Sequence, residues 1–327
     1  MTILVTGSSG HLGEALMRTL QAQRREAIGI DILPGGFTHQ IGSIADRAFV
    51  RRCMRHVTTV LHAATLHKPH VATHGRQDFV EVNITGTLNL LEEAAAAGVS
   101  AFVYTSTTSV FGDALVPPPG APAAWITEDV TAVPKNIYGV TKAAAEDLCQ
   151  LFARNHALRS IVLRTSRFFP EEDDSRAVRE AYADANIKTN EFLYRRVDIE
   201  DVVGAHLLAA EHAPSAGFAK YIISATTPFT RQDGAELRSN APRVVHRYVP
   251  DYEAEFARRG WTMTPSVDRV YDNARARAEL GWQPRHDFRA LVARLKAGED
   301  ISSPLAREVG SKGYHDRVFR DGPYPVE

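Results

Sequence analysis

Two hydrophobic periods alternate along this chain. Thr2 to Val5 is a short continuous apolar run, and after a glycine-rich stretch Leu12, Leu16 and Leu20 recur at helical spacing. The first pattern suits a strand buried on both faces of a parallel sheet, and the second a helix laid over it. Ala27 to Ile30, Val57 to His62, Ala101 to Ser106 and Ser160 to Arg164 repeat the strand pattern. A helix is predicted from about Asn83 to Ala97, with Ile84, Leu88, Leu91 and Ala95 on one face and Gly98 as its stop. A second helix is predicted from Tyr138 to Asn155. Regular alternation of this kind predicts an α/β fold, a doubly wound parallel sheet whose ligand sits beyond the strand carboxyl ends.

The link between the first strand and the first helix carries candidate chemistry. Gly7, Gly10 and Gly13 are spaced as G-x-x-G-x-x-G. Gly7 can make the tight turn, Gly10 lets backbone approach a pyrophosphate, and Gly13 lets the helix pack closely on the strand, while the helix N-terminus attracts phosphate. The second strand ends in Asp31, close to the ~20-residue offset at which a carboxylate meets the adenosine ribose hydroxyls. A carboxylate there repels a 2′-phosphate and favours NAD over NADP. Arg24 and Arg25 keep NADP open, and Asp31 can also be read as opening the Pro-Gly-Gly turn at 34 to 36. After the third strand, Ala63 and Ala64 are small enough for a cofactor to lie across the strand end, and His62 reads as structural.

Composition narrows the class. At 327 residues, 44% hydrophobic and 24% charged, the chain is long and apolar enough for a large core. Its formal charge of −1 gives no global pull toward nucleic acid or anionic membrane, so neither is an expected partner. A core strand at the very start leaves no room for a signal peptide, and no stretch reaches the ~20 apolar residues of a membrane span. The expectation is a cytoplasmic protein. Cys53 and Cys149 are too few for a disulfide framework and read as packing residues. Val116 to Ala124, with four prolines, reads as a surface excursion.

The most specific constellation lies downstream. The strand ending at Ser106 becomes hydroxyl-rich through Thr107, Thr108 and Ser109, and Tyr138 and Lys142 follow as Tyr-x-x-x-Lys. Positions four apart share a helix face, so the Lys142 ammonium is expected near the Tyr138 phenol, lowering its pKa. Tyr138 can then take the proton of a secondary alcohol as hydride leaves the adjacent carbon, with Thr107 hydrogen-bonding the same oxygen.

With these motifs in this order, the chain resembles an extended short-chain dehydrogenase/reductase of the NAD-dependent epimerase/dehydratase family over nearly its whole length. The resemblance adds Asn83-x-x-Gly86-Thr87, the hydroxyls before Val110-Phe111-Gly112, the segment Arg196 to Val202 with Asp201 as a natural N-cap, and Asp272 to Pro284 with Gly281 as a helix stop. It implies a Rossmann sheet over 1–165 with a returning segment at about 196–223, and a smaller, discontinuous substrate domain from 166–195 and 224–327. It implies NAD as cofactor, held by Gly7, Ser9, Gly10, His11, Leu12, Gly13, Asp31, Ser43, Ile44, Ala63, Ala64, Asn83, Tyr138 and Lys142. Catalysis falls to Thr107, Tyr138 and Lys142, and a homodimer is implied through the helices at 83–97 and 138–155.

Departures from the family pattern bear on substrate. Gly42-Ser43-Ile44 stands where an acidic residue usually faces the adenine, and Thr108-Ser109 replaces the Asp-Glu pair of the dehydratases, which argues against dehydration. After the strand Ser160 to Arg164 the chain reads Thr165-Ser166-Arg167-Phe168-Phe169-Pro170 and then four carboxylates, Glu171 to Asp174. Facing the pocket these would repel a substrate diphosphate, and facing solvent they would be neutral to it. The Ser-x-x-x-Pro-Glu piece resembles the uronate dehydrogenases, which act on free sugar acids. Arg167, with Thr108, is the candidate substrate contact, since a guanidinium offers a bidentate fork. His67, His70 and His74 are placed in a loop that could line the cleft, with no metal expected. The tail from Gly310 to Glu327 lacks periodicity and reads as wrapping the surface or an oligomer contact. The expected activity is NAD-dependent hydride transfer at a secondary alcohol of a carbohydrate or nucleotide sugar, of epimerase type. The alternatives are a dehydrogenase of a free sugar or sugar acid and a non-catalytic dinucleotide sensor, against which the intact Tyr138 and Lys142 count.

Overall fold

The computed structural model describes residues 2–315 and 319. Among the described residues nine strands are formed: β1 Thr2–Thr6, β2 Ala27–Asp31, β3 Gln40–Ile41, β4 Val57–His62, β5 Ala101–Thr107, β6 Ala124–Ile126, β7 Ser160–Thr165, β8 Phe218–Ile223 and β9 Arg269–Tyr271. Seven make one parallel sheet in the order β3-β2-β1-β4-β5-β7-β8, and β6 pairs with β9 apart from it. Strand order reverses between β1 and β4, so a crevice opens beyond their carboxyl ends.

The two-residue period of β1 divides the core. Ile3 and Val5 join Leu12, Leu16 and Leu20 of α1 (His11–Ala22) on one face, while Leu4 joins Val60, Phe102, Leu90 and Leu91 on the other. The second face is covered by α2 (Gly86–Ala97) and α3 (Ile137–His156). Cys53 and Cys149 are free thiols buried in that layer. A further core gathers Phe192, Leu237, Val244, Phe256 and Phe288 beside the sheet.

Local structure departs from the sequence reading in three places. The helix expected from Asn83 is preceded by a wide π turn, Val80–Thr85, which turns Asn83 inward. The helix α5 (Ile199–Ala216) is capped by Asp198, whose side chain accepts from Glu200 N; α4 (Asp184–Glu191) precedes it. Asp201 therefore lies inside α5, and its carboxylate accepts from Arg285 N and His286 N, both at 2.9 Å. That ties down the chain after α6 (Ala274–Leu280), which Gly281 ends in a left-handed conformation. The Pro-rich excursion runs into β6.

Candidate active site

The glycine turn is built by backbone contact. Gly7 has φ +74°, and a Cβ there would lie 2.8 Å from Ala64 N; one on Gly13 would lie 1.9 Å from Gly7 O. Both positions exclude a side chain, which brings α1 onto the end of β1. Gly10 leaves its outer side to the cleft. Asp31 closes the far side: Oδ2 accepts from Ser9 N and Oδ1 from Leu33 N, each at 2.9 Å.

Beneath the turn, a buried hydroxyl chain fixes the alanines. Ala63 N and Ala64 N both donate to Thr6 Oγ1, at 3.1 and 3.0 Å, so the Thr6 proton goes to His62 Nδ1 at 2.8 Å. Thr87 Oγ1 spends its own proton on Asn83 O, and His62 Nε2 then donates to Thr87 at 3.0 Å. His62 is thus a neutral, fully satisfied structural residue, its pKa held well below the usual value by burial and by Lys142.

A cleft of about 970 Å³ runs from this turn to the end of β5. Gly7, Ser9, Gly10, His11, Leu12, Gly13, Asp31, Ser43, Ile44, Ala63 and Ala64 line one part of it, and Thr107, Thr108, Tyr138, Lys142 and Arg167 the other. Asn83 is the exception among the expected contacts and does not line it. Its Oδ1 accepts from Leu66 N and Thr65 Oγ1, and its Nδ2 donates to Leu66 O and Thr141 Oγ1. All of its amide is spent holding the loop after β4 against α3.

Asn136 caps α3 through Gly139 N and so presents Tyr138 in the first turn, beside the end of β5. Burial pushes the Tyr138 phenol up to about 12, with a hydrogen bond to Thr107 pulling the other way. Lys142, one turn on, does not act on the phenol as the spacing suggests. Its Nζ donates to Thr105 O at 2.6 Å and lies 4.2 Å from the Tyr104 ring centroid. Burial lowers it to about 7, partly offset by Glu146. Desolvation dominates both groups, so each favours its neutral form.

Of the acidic segment, Asp173 and Asp174 turn inward while Glu172 is exposed. Arg167 binds Asp174 at 2.8 Å and Glu191 at 2.7 Å, and also pairs with Asp173. Both terminal nitrogens of the Arg167 guanidinium are therefore committed to protein carboxylates, which removes the free fork that the sequence reading offered a substrate. Glu191 also takes Arg195 at 2.9 Å and Arg196 at 3.0 Å, and Lys68 pairs with Asp174.

His67, His70 and His74 line the cleft, the His67 ring 6.2 Å from that of Tyr138. Among the described residues the grouping whose ligand atoms converge is Asp198, Glu200 and His286. Those atoms already serve Ser303 N, Leu305 N and Arg285, latching α7 (Pro304–Val309) to α5. Sequence reasoning missed Arg195, Arg269, Lys312, Tyr314 and His315 as cleft residues. They come from segments without motif or period, and only the returning chain brings them there.

A dinucleotide-shaped crevice at a strand-order reversal, with a Tyr-x-x-x-Lys helix at its floor, defines an oxidoreductase-type site of the short-chain dehydrogenase/reductase class. The NAD dependent epimerase/dehydratase family matches residues 3–223, and the chain belongs to that family. The UDP-glucose 4-epimerase of Azospirillum brasilense is 26% identical, covering 95% of this chain and 94% of its own length. An uncharacterized protein of Sinorhizobium fredii is 33% identical over half of this chain, which spans 40% of that protein. A short-chain dehydrogenase/reductase superfamily protein from Agrobacterium tumefaciens, solved with bound NAD, shares the fold with a TM-score of 0.64 at 23% identity, covering 91% of this chain and 97% of its own. No helix among the described residues is long and apolar enough to cross a membrane.

Proposed function

We propose that the chain is an NAD-dependent epimerase acting at a secondary alcohol of a nucleotide-linked sugar. The observation that carries this is the Thr107, Tyr138 and Lys142 group at the floor of a cleft whose other end is the Gly7 to Gly13 turn. The residues fit a dinucleotide: Gly7 and Gly13 admit no side chain, Asp31 at the end of β2 lies beside the glycine turn, where this reading puts the adenosine ribose, and Ala63 and Ala64 leave room across β4. Bound there, NAD would supply the hydride acceptor. Tyr138 Oη removes the alcohol proton and returns it, and the Thr107 hydroxyl holds the same oxygen. Lys142, one helical turn on with its Nζ held on Thr105 O, is in this reading the partner of the cofactor ribose.

Epimerisation uses no net proton, which suits a Tyr138 only 7% exposed and a Lys142 only 2% exposed. A dehydrogenase of a sugar acid needs a carboxylate reader, and both terminal nitrogens of Arg167 are already engaged by Asp173, Asp174 and Glu191. The same reading includes a homodimer through α2 and α3, which pack side by side and leave Val140 47% exposed. A monomeric mass by light scattering at high concentration would remove that part.

The test is incubation with NAD and a panel of UDP-sugars, free sugars and sugar acids, reading NADH absorbance and product stereochemistry by NMR. A new stereoisomer without NADH accumulation is expected. Stoichiometric NADH from a free sugar or sugar acid would replace the epimerase by a dehydrogenase.

A further inference from the structure

Residues 311–315 leave α7 and cross the mouth of the cleft. At one end Lys312 Nζ lies 2.5 Å from Glu14 Oε2 in the first turn of α1, and Ser311 Oγ donates to Glu171 Oε1 at 2.7 Å. At the other, the Tyr314 ring packs on His67, His70 and Phe169 with centroids 5.7, 5.8 and 6.2 Å apart, and His315 Nε2 lies 3.0 Å from Pro69 O. The segment joins the glycine turn to the loop after β4, the two walls between which a dinucleotide must lie. The rest of the tail expected to wrap the surface or an oligomer contact, residue 319 apart, lies outside the described residues.

The chemistry beneath its first end is unsatisfied. Both ring nitrogens of His11 are buried without a hydrogen-bond partner, and so is Glu171 Oε2. His11 stacks on Phe168 with an interplanar angle of 9°, which fixes the ring. Burial, opposed by Glu171 and reinforced by Lys312, lowers it to about 4, so the imidazole is neutral and keeps one N–H to give. A buried donor left unmade is costly, and an anionic oxygen between His11 and Lys312 would accept from both. We propose that this C-terminal strap is part of the cofactor site: Lys312 and His11 contact the dinucleotide diphosphate, and the span from Glu14 to Pro69 retains the nucleotide between hydride removal and return. The proposal builds on the dinucleotide reading of the cleft and makes cofactor retention, which epimerisation requires, a property of this tail.

Binding of ADP and adenosine by calorimetry, and NADH release by stopped-flow fluorescence, test it without turnover. Lys312→Ala should weaken ADP about tenfold and leave adenosine unchanged. A chain ending at Gly310 should release NADH about tenfold faster than the full chain, and Tyr314→Ala, which keeps the rest of the tail, should shift release the same way. Unchanged release in Tyr314→Ala and in the shortened chain overturns the strap. Equal losses of ADP and adenosine in Lys312→Ala, or no loss of either, overturn the diphosphate contact. A full-length protein that binds neither ADP nor NADH refutes the dinucleotide site itself, a failure distinguishable from that of the strap.

Discussion

The Tyr138 phenol is expected to be a poor base in nucleotide-free protein and a competent one only when further positive charge is brought to it. Its pKa of about 12, against 10.0 for the free side chain, is a bias of about 2.7 kcal/mol against the phenolate. Half-ionisation near pH 8 would need about 5 kcal/mol of added stabilisation. Lys142 does not supply this from its bond to Thr105 O, where it is itself lowered to about 7. Ultraviolet difference titration of wild type against Tyr138→Phe isolates this one phenol. Without nucleotide, no Tyr138 ionisation is expected below about pH 10, and with NAD it should appear several units lower. Lys142→Met should leave the nucleotide-free titration where it is, raise the one with NAD, and lower kcat by about 10² to 10³. A Tyr138-dependent band at neutral pH in nucleotide-free protein, or a shift of that titration by Lys142→Met, refutes the reasoning.

Gly13→Ala places a Cβ 1.9 Å from Gly7 O and 2.5 Å from Gly7 C, so α1 must shift; a loss of about 3 kcal/mol in urea unfolding and of NADH binding is expected, and an unchanged variant would contradict the packing. Burial alone would raise the Glu191 carboxyl, but Arg195, Arg167 and Arg196 outweigh it and hold it at about 2. A depressed carboxyl pKa contributes stability above its unfolded value of 4.5 that is lost as pH falls toward 2, here about 3 kcal/mol. Glu191→Gln should flatten this acid limb, and an identical pH dependence in the variant would argue against the assignment. Asp31→Ala should lower the ratio of NAD to NADP affinity about tenfold or more, measured by fluorescence titration; a constant ratio would return Asp31 to a turn-forming role.

Much of the frame was legible because it obeys a local period. Ile3, Leu4 and Val5 announce a strand buried on both faces, and they enter opposite cores. Gly7, Gly10 and Gly13 and the Tyr138–Lys142 pair are short motifs whose geometry follows from a turn or a helix face. Asn83 and Asp201 were harder because their types suit several roles. Asn83 is turned by a π bulge that apolar spacing does not register, and Asp201 answers two N–H groups from residues 285 and 286, far along the chain. Lys142 shows the limit of spacing: four residues from Tyr138 puts it on the same face, but the Thr105 carbonyl decides where its ammonium points.

The acidic run Glu171 to Asp174 shows why substrate class needs the folded structure. Four carboxylates in sequence suggest repulsion of a diphosphate, but a charge matters only with its neighbours. Asp173 and Asp174 are consumed by Arg167, Asp174 also by Lys68, and Glu171 Oε1 by Ser311. Glu191 adds one further carboxylate, and Arg195 and Arg196 bring two more guanidiniums to it. Lys68, Arg167, Arg195 and Arg196 therefore meet Asp173, Asp174 and Glu191 in one partly buried lattice, four cations against three anions. The lattice thus offsets Asp173 and Asp174, the inner half of the run, while Glu171 keeps its charge at the cleft with only the neutral Ser311 hydroxyl on Oε1, and Glu172 is exposed. The lattice also joins the loop after β4, the loop after β7 and the entry to α5, so the substrate wall is set by contacts among three segments that no single motif spans.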